Sequence, residues 1–132
     1  MSSIFTIDGV GYRVQLPEEG LKRSGAVYDG SNAGRLQSGS TVFDTVGTYF
    51  NYTIGPITPD PEHREDYDKL YEVVMSPSKR EHTVVMPFGQ STISFRAYVA
   101  NGEDTLKRRK NGVNYWTGLE IQCTAVSPYL YP

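Results

Sequence analysis

The sequence predicts a mainly β fold, a β-sandwich or barrel-like pair of sheets closed on one side by a single α-helix. Three observations carry that prediction. Aromatic residues are abundant, with ten Tyr, five Phe and one Trp, and they come with 13 Gly and 8 Pro. Pleated surfaces favour the first group and frequent turns need the second. Apolar and polar residues alternate with period two in several segments, and only one segment repeats apolar residues at helical spacing. At 132 residues the chain suits one domain, residues 1–132, around a single core.

Taken in order, "IFTIDGVGYRVQL" reads as two short strands about Asp8-Gly9, a turn pair that tolerates positive φ. Pro17 to Thr41 holds Gly20, Gly25, Gly30, Gly34 and Gly39 and few large apolar residues. We read it as a long loop or an extended, mobile hairpin, of the kind that is functional or ordered by a partner. "TVFDTVGTYFNYTIG" follows as a long strand, with Val42, Val46, Phe50, Tyr52 and Ile54 on one parity and a bulge or bend at Gly47.

Residues 60–76 read as the helix, with Asp60 as N-cap and Pro61 in the first turn. Tyr67, Leu70, Tyr71 and Val74 form its buried stripe, and Ser76-Pro77 ends it. "HTVVMPF", a Gly89-Gln90 turn and "STISFRAYVA" make two further strands, the second with Ile93, Phe95, Ala97 and Val99 facing one way. "NGEDTLKRRKNG" reads as a polar connection. The last strand alternates Tyr115, Thr117, Leu119, Ile121, Cys123 and Ala125 before an aromatic end, Tyr129-Leu130-Tyr131-Pro132.

Chemistry has little foothold. His63 and His82 have no ligand spacing around them, so no metal site is expected. No Gly-x-Ser-x-Gly elbow, nucleophile–base pair or phosphate loop is present, so neither a catalytic residue nor a cofactor is expected. Cys123 stands alone among apolar positions and reads as a buried thiol. No signal peptide or membrane helix is expected. A net charge of −2 argues against a dedicated nucleic-acid binder. Glu62, Glu65, Asp66, Asp68 and Glu72 read as a solvated helix face. The run Lys107, Arg108, Arg109 and Lys110 reads as solvated cations in a turn, or as a contact for an acidic face of a neighbouring subunit. Tyr12, Tyr28, Tyr49, Tyr98, Trp116, Tyr129 and Tyr131 fall in loops or on the less apolar parity, which suggests surfaces covered by a partner protein or a sugar.

"FTIDGVGYRVQLPEEGLKRSG", "GTYFNYTI", "YDKLYEVVMSP", "HTVVMPFGQSTISFRAYV" and "NYWTGLEIQCTAVSP" together resemble small structural tail proteins of siphophages and of Gram-positive prophages. The resemblance covers most of the chain and rests on strand–helix–strand order, a Tyr115-Trp116 pair before the last strand and Ser127-Pro128 after it. It implies a tail-tube-like fold, shared by tube proteins and distal tail proteins. It also implies a non-enzymatic virion structural protein whose copies form a ring, hexameric in that family, with DNA only as passing cargo. Implied partners are the tape measure protein or adjoining tail rings, with no membrane. The implied location is the virion tail, and the host cytoplasm during assembly.

On that view Pro17 to Thr41 is an inter-subunit arm. Leu21, Val27, Tyr28 and Leu36 are its contact residues, joined by Tyr129, Leu130 and Tyr131 at the end, with Lys107 to Lys110 as a secondary electrostatic contact. The alternative class is a monomeric carbohydrate-binding β-sandwich module, in which Trp116 and surface tyrosines stack on sugar rings.

Overall fold

In a computed structural model of the chain, residues 3–29, 34–35, 41–42 and 45–130 are described. Short strands β1 (Thr6–Ile7), β2 (Val10–Gly11) and β3 (Val14–Gln15) come first, followed by β4 (Leu21–Asp29). Two short strands, β5 (Gly34–Arg35) and β6 (Thr41–Val42), pair with each other. The long β7 (Thr45–Pro59) leads into α1 (Arg64–Val74), and β8 (Glu81–Phe88), β9 (Ser91–Tyr98), β10 (Gly102–Lys110) and β11 (Val113–Ala125) complete the order. The fold is mainly β with one helix, as the composition and periodicity predict.

The sheet is antiparallel and continuous, running β2-β1-β8-β9-β11-β7-β3, with β10 added to β11 and β4 to β7. One strand serves both halves. β11 pairs with β10 along Val113–Ile121, then with β9 at Thr124 and Ala125, and carries β7 on its other edge. The pair of sheets expected from the sequence is therefore one sheet curled over on itself. In a flat sheet β7 and β8 would stand three strand spacings, about 14 Å, apart. Instead the Tyr52 hydroxyl donates to the carbonyl of Pro87 at 2.7 Å, and its ring stacks on Phe95 at 5.8 Å. Phe50 meets Phe88 edge-on at 5.1 Å.

The core fills the inside of this curl. Alternation puts Tyr52 and Ile54 of β7, Val84 and Met86 of β8, Ile93 and Phe95 of β9, and Leu119, Ile121 and Cys123 of β11 on the inner face. Tyr67, Leu70 and Val74 of α1 close it, at i, i+3 and i+7 spacing. Burial pushes the Cys123 thiol up to about 12, so it behaves as a small apolar side chain.

Two turns form as their sequences dictate. Asp8 and Gly9 both take positive φ, 53° and 81°, between β1 and β2. The Asp8 carboxylate then clamps β8, accepting from the Thr83 amide at 2.9 Å and meeting His82 Nδ1 at 2.7 Å. Gly89 has φ 58° in the two-residue turn between β8 and β9.

Several expectations need correction. The helix starts at Arg64, not near Asp60, and His63 occupies the N-cap position. Asp60 spends its oxygens on the turn before the helix, accepting from the Glu62 amide at 3.1 Å and contacting His63 Nδ1 at 3.3 Å. The helix ends at Val74, short of Ser76. Part of the expected 17–41 loop is regular strand: Leu21–Asp29 pairs with β7 residue by residue, from Leu21↔Ile54 to Asp29↔Thr45. Of the two readings of that segment, the extended hairpin is the one that describes Leu21–Asp29. The "polar connection" is also a strand, β10, joined to β11 by an Asn111-Gly112 turn with φ 54° and 77°. Tyr12, expected at a covered surface, is a core residue.

Candidate subunit interface

The β4–β7 ribbon is built by the register of β7. Pairing of β7 with β11 stops at Tyr52↔Cys123, while β4 accompanies β7 as far as Asp29↔Thr45. Beyond Tyr52, the ribbon is tied on the β11 side by Asn51, whose Oδ1 accepts from the Ala125 amide at 2.8 Å, and by the 126–130 segment. Thr48 donates its amide to the carbonyl of Leu130 at 2.8 Å, and its carbonyl accepts from the amide of Tyr129 at 2.8 Å. Tyr129 also meets the Phe50 ring at 6.2 Å. The close approach requires Gly47, because a Cβ there would sit 2.6 Å from the Leu130 carbonyl oxygen and 2.7 Å from Pro128 Cβ. The backbone of the "YLYP" segment thus docks on its own domain at Tyr129 and Leu130, where the resemblance implied an adjacent chain.

Side chains on both faces of this ribbon stay uncovered. Directly paired residues share a face, so Leu21, Arg23 and Val27 lie on the inner side with Ile54, Tyr52 and Thr48. Leu21 packs at the core margin, and Arg23 covers the Phe88 ring at 5.1 Å. Val27, further out, is 64 % exposed. On the other face Tyr28, 52 % exposed, meets Tyr49 edge-on at 5.0 Å. Val46 of β7 and Tyr129 and Leu130 of the docked segment are also exposed. The outer edge of β4 has no strand partner among the described residues.

Of the residues nominated from the sequence, Val27, Tyr28, Tyr129 and Leu130 are exposed on or beside the ribbon, Val27 and Tyr28 on opposite faces, whereas Leu21 is partly buried at its base. Leu36 and Tyr131 lie outside the described residues. Tyr49, read from the sequence as an aromatic on a covered surface, meets Tyr28, and Val46 is exposed without having been nominated. Val46 is the β7 residue skipped by the register shift between Tyr28↔Gly47 and Asp29↔Thr45, which pattern reading alone does not show.

A second surface lies between α1 and the β10–β11 hairpin. An open groove there is lined by Tyr67, Asp68, Tyr71 and Glu72 of the helix and by Asp104, Asn114 and Trp116 of the hairpin. Trp116 is 39 % exposed. Tyr67 donates its hydroxyl to Asp104 at 2.9 Å; burial first, and that carboxylate second, push its phenol well up. The Arg64 and Arg108 guanidiniums both lie against the Tyr115 ring, at 4.3 and 4.8 Å, tying helix to hairpin. Lys107, Arg108, Arg109 and Lys110 are exposed along β10, so the cations expected in a turn stand on a strand.

Among the described residues no three His, Cys, Asp or Glu side chains are grouped to hold a metal, and no helix is long and apolar enough to cross a membrane. No protein-family model matches the chain, and no curated protein matches it.

Proposed function

We propose that this chain is a non-enzymatic structural subunit of a bacteriophage or prophage tail, of tail-tube or distal-tail type, whose copies close into a ring. One observation carries the reading. The β4–β7 ribbon runs past the curled sheet with apolar side chains on both faces and an outer edge unpaired among the described residues. An edge of nine residues bearing Val27 and Tyr28 is an aggregation hazard in a monomer and a joint in an assembly. Asp66 binds Arg13, Asp8 binds β8 and Cys123 is buried, so these groups serve the fold. The ring would take adjoining tail rings or the tape measure protein as partners and pass DNA as cargo, in a virion tail assembled in the host cytoplasm.

Light scattering of the purified protein over a concentration series tests this. A single closed species of several copies is expected as concentration rises. Open-ended growth or a monomer at every concentration would count against ring closure by this chain alone.

A second reading, a monomeric carbohydrate-binding module, draws on Trp116 facing a groove that also holds Asn114, Asp68 and Glu72. Chemical shifts confined to Trp116 and Tyr71 during a sugar titration would favour it.

A further inference from the structure

The groove between α1 and the β10–β11 hairpin holds carboxylates that pair with no cation among the described residues. Asp68, Glu72 and Asp104 line it, and none of them makes an ion pair among the described residues. Lys107, Arg108, Arg109 and Lys110 stand exposed on the same hairpin and make none either. Partial burial, and then the like charges of Glu72 and Asp104, push the Asp68 carboxyl above its ordinary range. The cation that lines the groove, Arg64, is laid against Tyr115. Trp116 and Tyr71 add aromatic faces of the kind a guanidinium or ammonium group packs on.

We propose that this groove receives the basic end of β10, Arg109 and Lys110, from a second copy of this chain, in a reciprocal contact about a two-fold axis. The two-fold follows from where the partners sit. Gly112, Val113 and Asn114 line the groove, and they follow Lys110 directly across the Asn111-Gly112 turn. Knob and hole are neighbours on one hairpin. A two-fold operation sets each knob into the other's hole at once, whereas a head-to-tail contact uses one of each and leaves the others exposed. Two hairpin tips cover little area, so the pair is transient and sensitive to salt. The contact uses a different surface from the β4–β7 ribbon and does not rest on the ring reading.

Charge exchange between variants tests it. In Asp68→Lys/Glu72→Lys the groove becomes basic, and in Arg109→Glu/Lys110→Glu the tip becomes acidic. Each variant alone should self-associate at least about tenfold more weakly than wild type at low salt. Mixed in equal amounts they should recover a dimer, because basic groove then meets acidic tip and acidic groove meets basic tip. Sedimentation velocity reads the masses, and melting curves confirm that the exposed substitutions leave each variant folded. Failure of the mixture to associate while both variants are folded overturns the proposal. So does self-association that both variants leave intact and that Val27→Lys/Tyr28→Lys abolishes, a result the ribbon contact would survive. Fluorescence of Trp116, the chain's one tryptophan, supplies a third readout. A shift with chito-oligosaccharide and none with protein concentration gives the groove to a sugar and overturns the proposal.

Discussion

Asp66 is the polar residue on which the helix is hung. Arg13 reaches it with its backbone amide at 2.9 Å, with Nε at 2.9 Å and with a terminal nitrogen at 3.2 Å. Those Arg13 bonds hold the carboxyl down to about 2. The folded pKa lies below the unfolded one, near 3.9, so this contribution is present above about pH 4 and is lost as pH falls through about 2. Asp66→Asn should flatten that part of the stability profile, read as melting temperature between pH 7 and pH 2. Asp66→Ala should cost about 1 kcal/mol at neutral pH, since the Arg13 side chain remains half in water and recovers part of its hydration. Tyr67 has the opposite sign. Its phenol is raised by burial and by Asp104, so the fold keeps that proton. Stability falls as pH rises past the unfolded phenol's value near 10. Tyr67→Phe should remove this alkaline component and cost about 1 kcal/mol at pH 7, measurable by urea titration.

At the scale of elements, legibility in the sequence followed how directly a pattern reported burial. The Ile93–Phe95–Ala97 alternation and the Tyr67–Leu70–Val74 stripe could be read because apolar residues mark the buried face. Leu70, fully buried at the centre of that stripe, makes the point quantitative: Leu70→Ala should cost about 2–5 kcal/mol in chemical denaturation. β10 was missed because it buries little, so "GEDTLKRRK" alternates nothing that a hydrophobic pattern can show. Its real signal was Asn111-Gly112, a turn pair between two runs of strand length. The helix start was placed too early because Asp60 has capping chemistry that it uses in the preceding turn. The docked 126–130 segment was illegible for a different reason: it depends on empty space above Gly47, which is set by a distant part of the chain. Gly47→Ala should displace that segment. Hydrogen exchange at the Thr48 amide, bonded to the Leu130 carbonyl, should accelerate at least about tenfold while β8 and β9 amides keep their protection.

For the whole molecule, the question is whether the long, apolar-faced edge of β4 joins one copy to the next. Deleting Pro17 to Thr41 is a poor way to ask, because the deletion removes more than an arm. It takes away Leu21, which packs at the core margin, and the Gly20 carbonyl that accepts the Gly55 amide at 2.8 Å, and it exposes one side of β7 over nine paired residues. Such a chain would fail to assemble for lack of a fold. Val27→Lys/Tyr28→Lys separates the two effects. Both side chains are more than half exposed, and neither belongs to the buried core, so stability should change by no more than about 0.5 kcal/mol each. A charged edge is also the device by which sheets resist pairing with other copies. If the ribbon is the ring joint, this variant melts like wild type yet fails to form the closed species at concentrations where wild type does. Should it still assemble into that species, the ribbon is not the joint, and the proposed ring must close through another surface. A variant that loses its fold would mean that Val27 and Tyr28 stabilise the monomer, an outcome their exposure argues against.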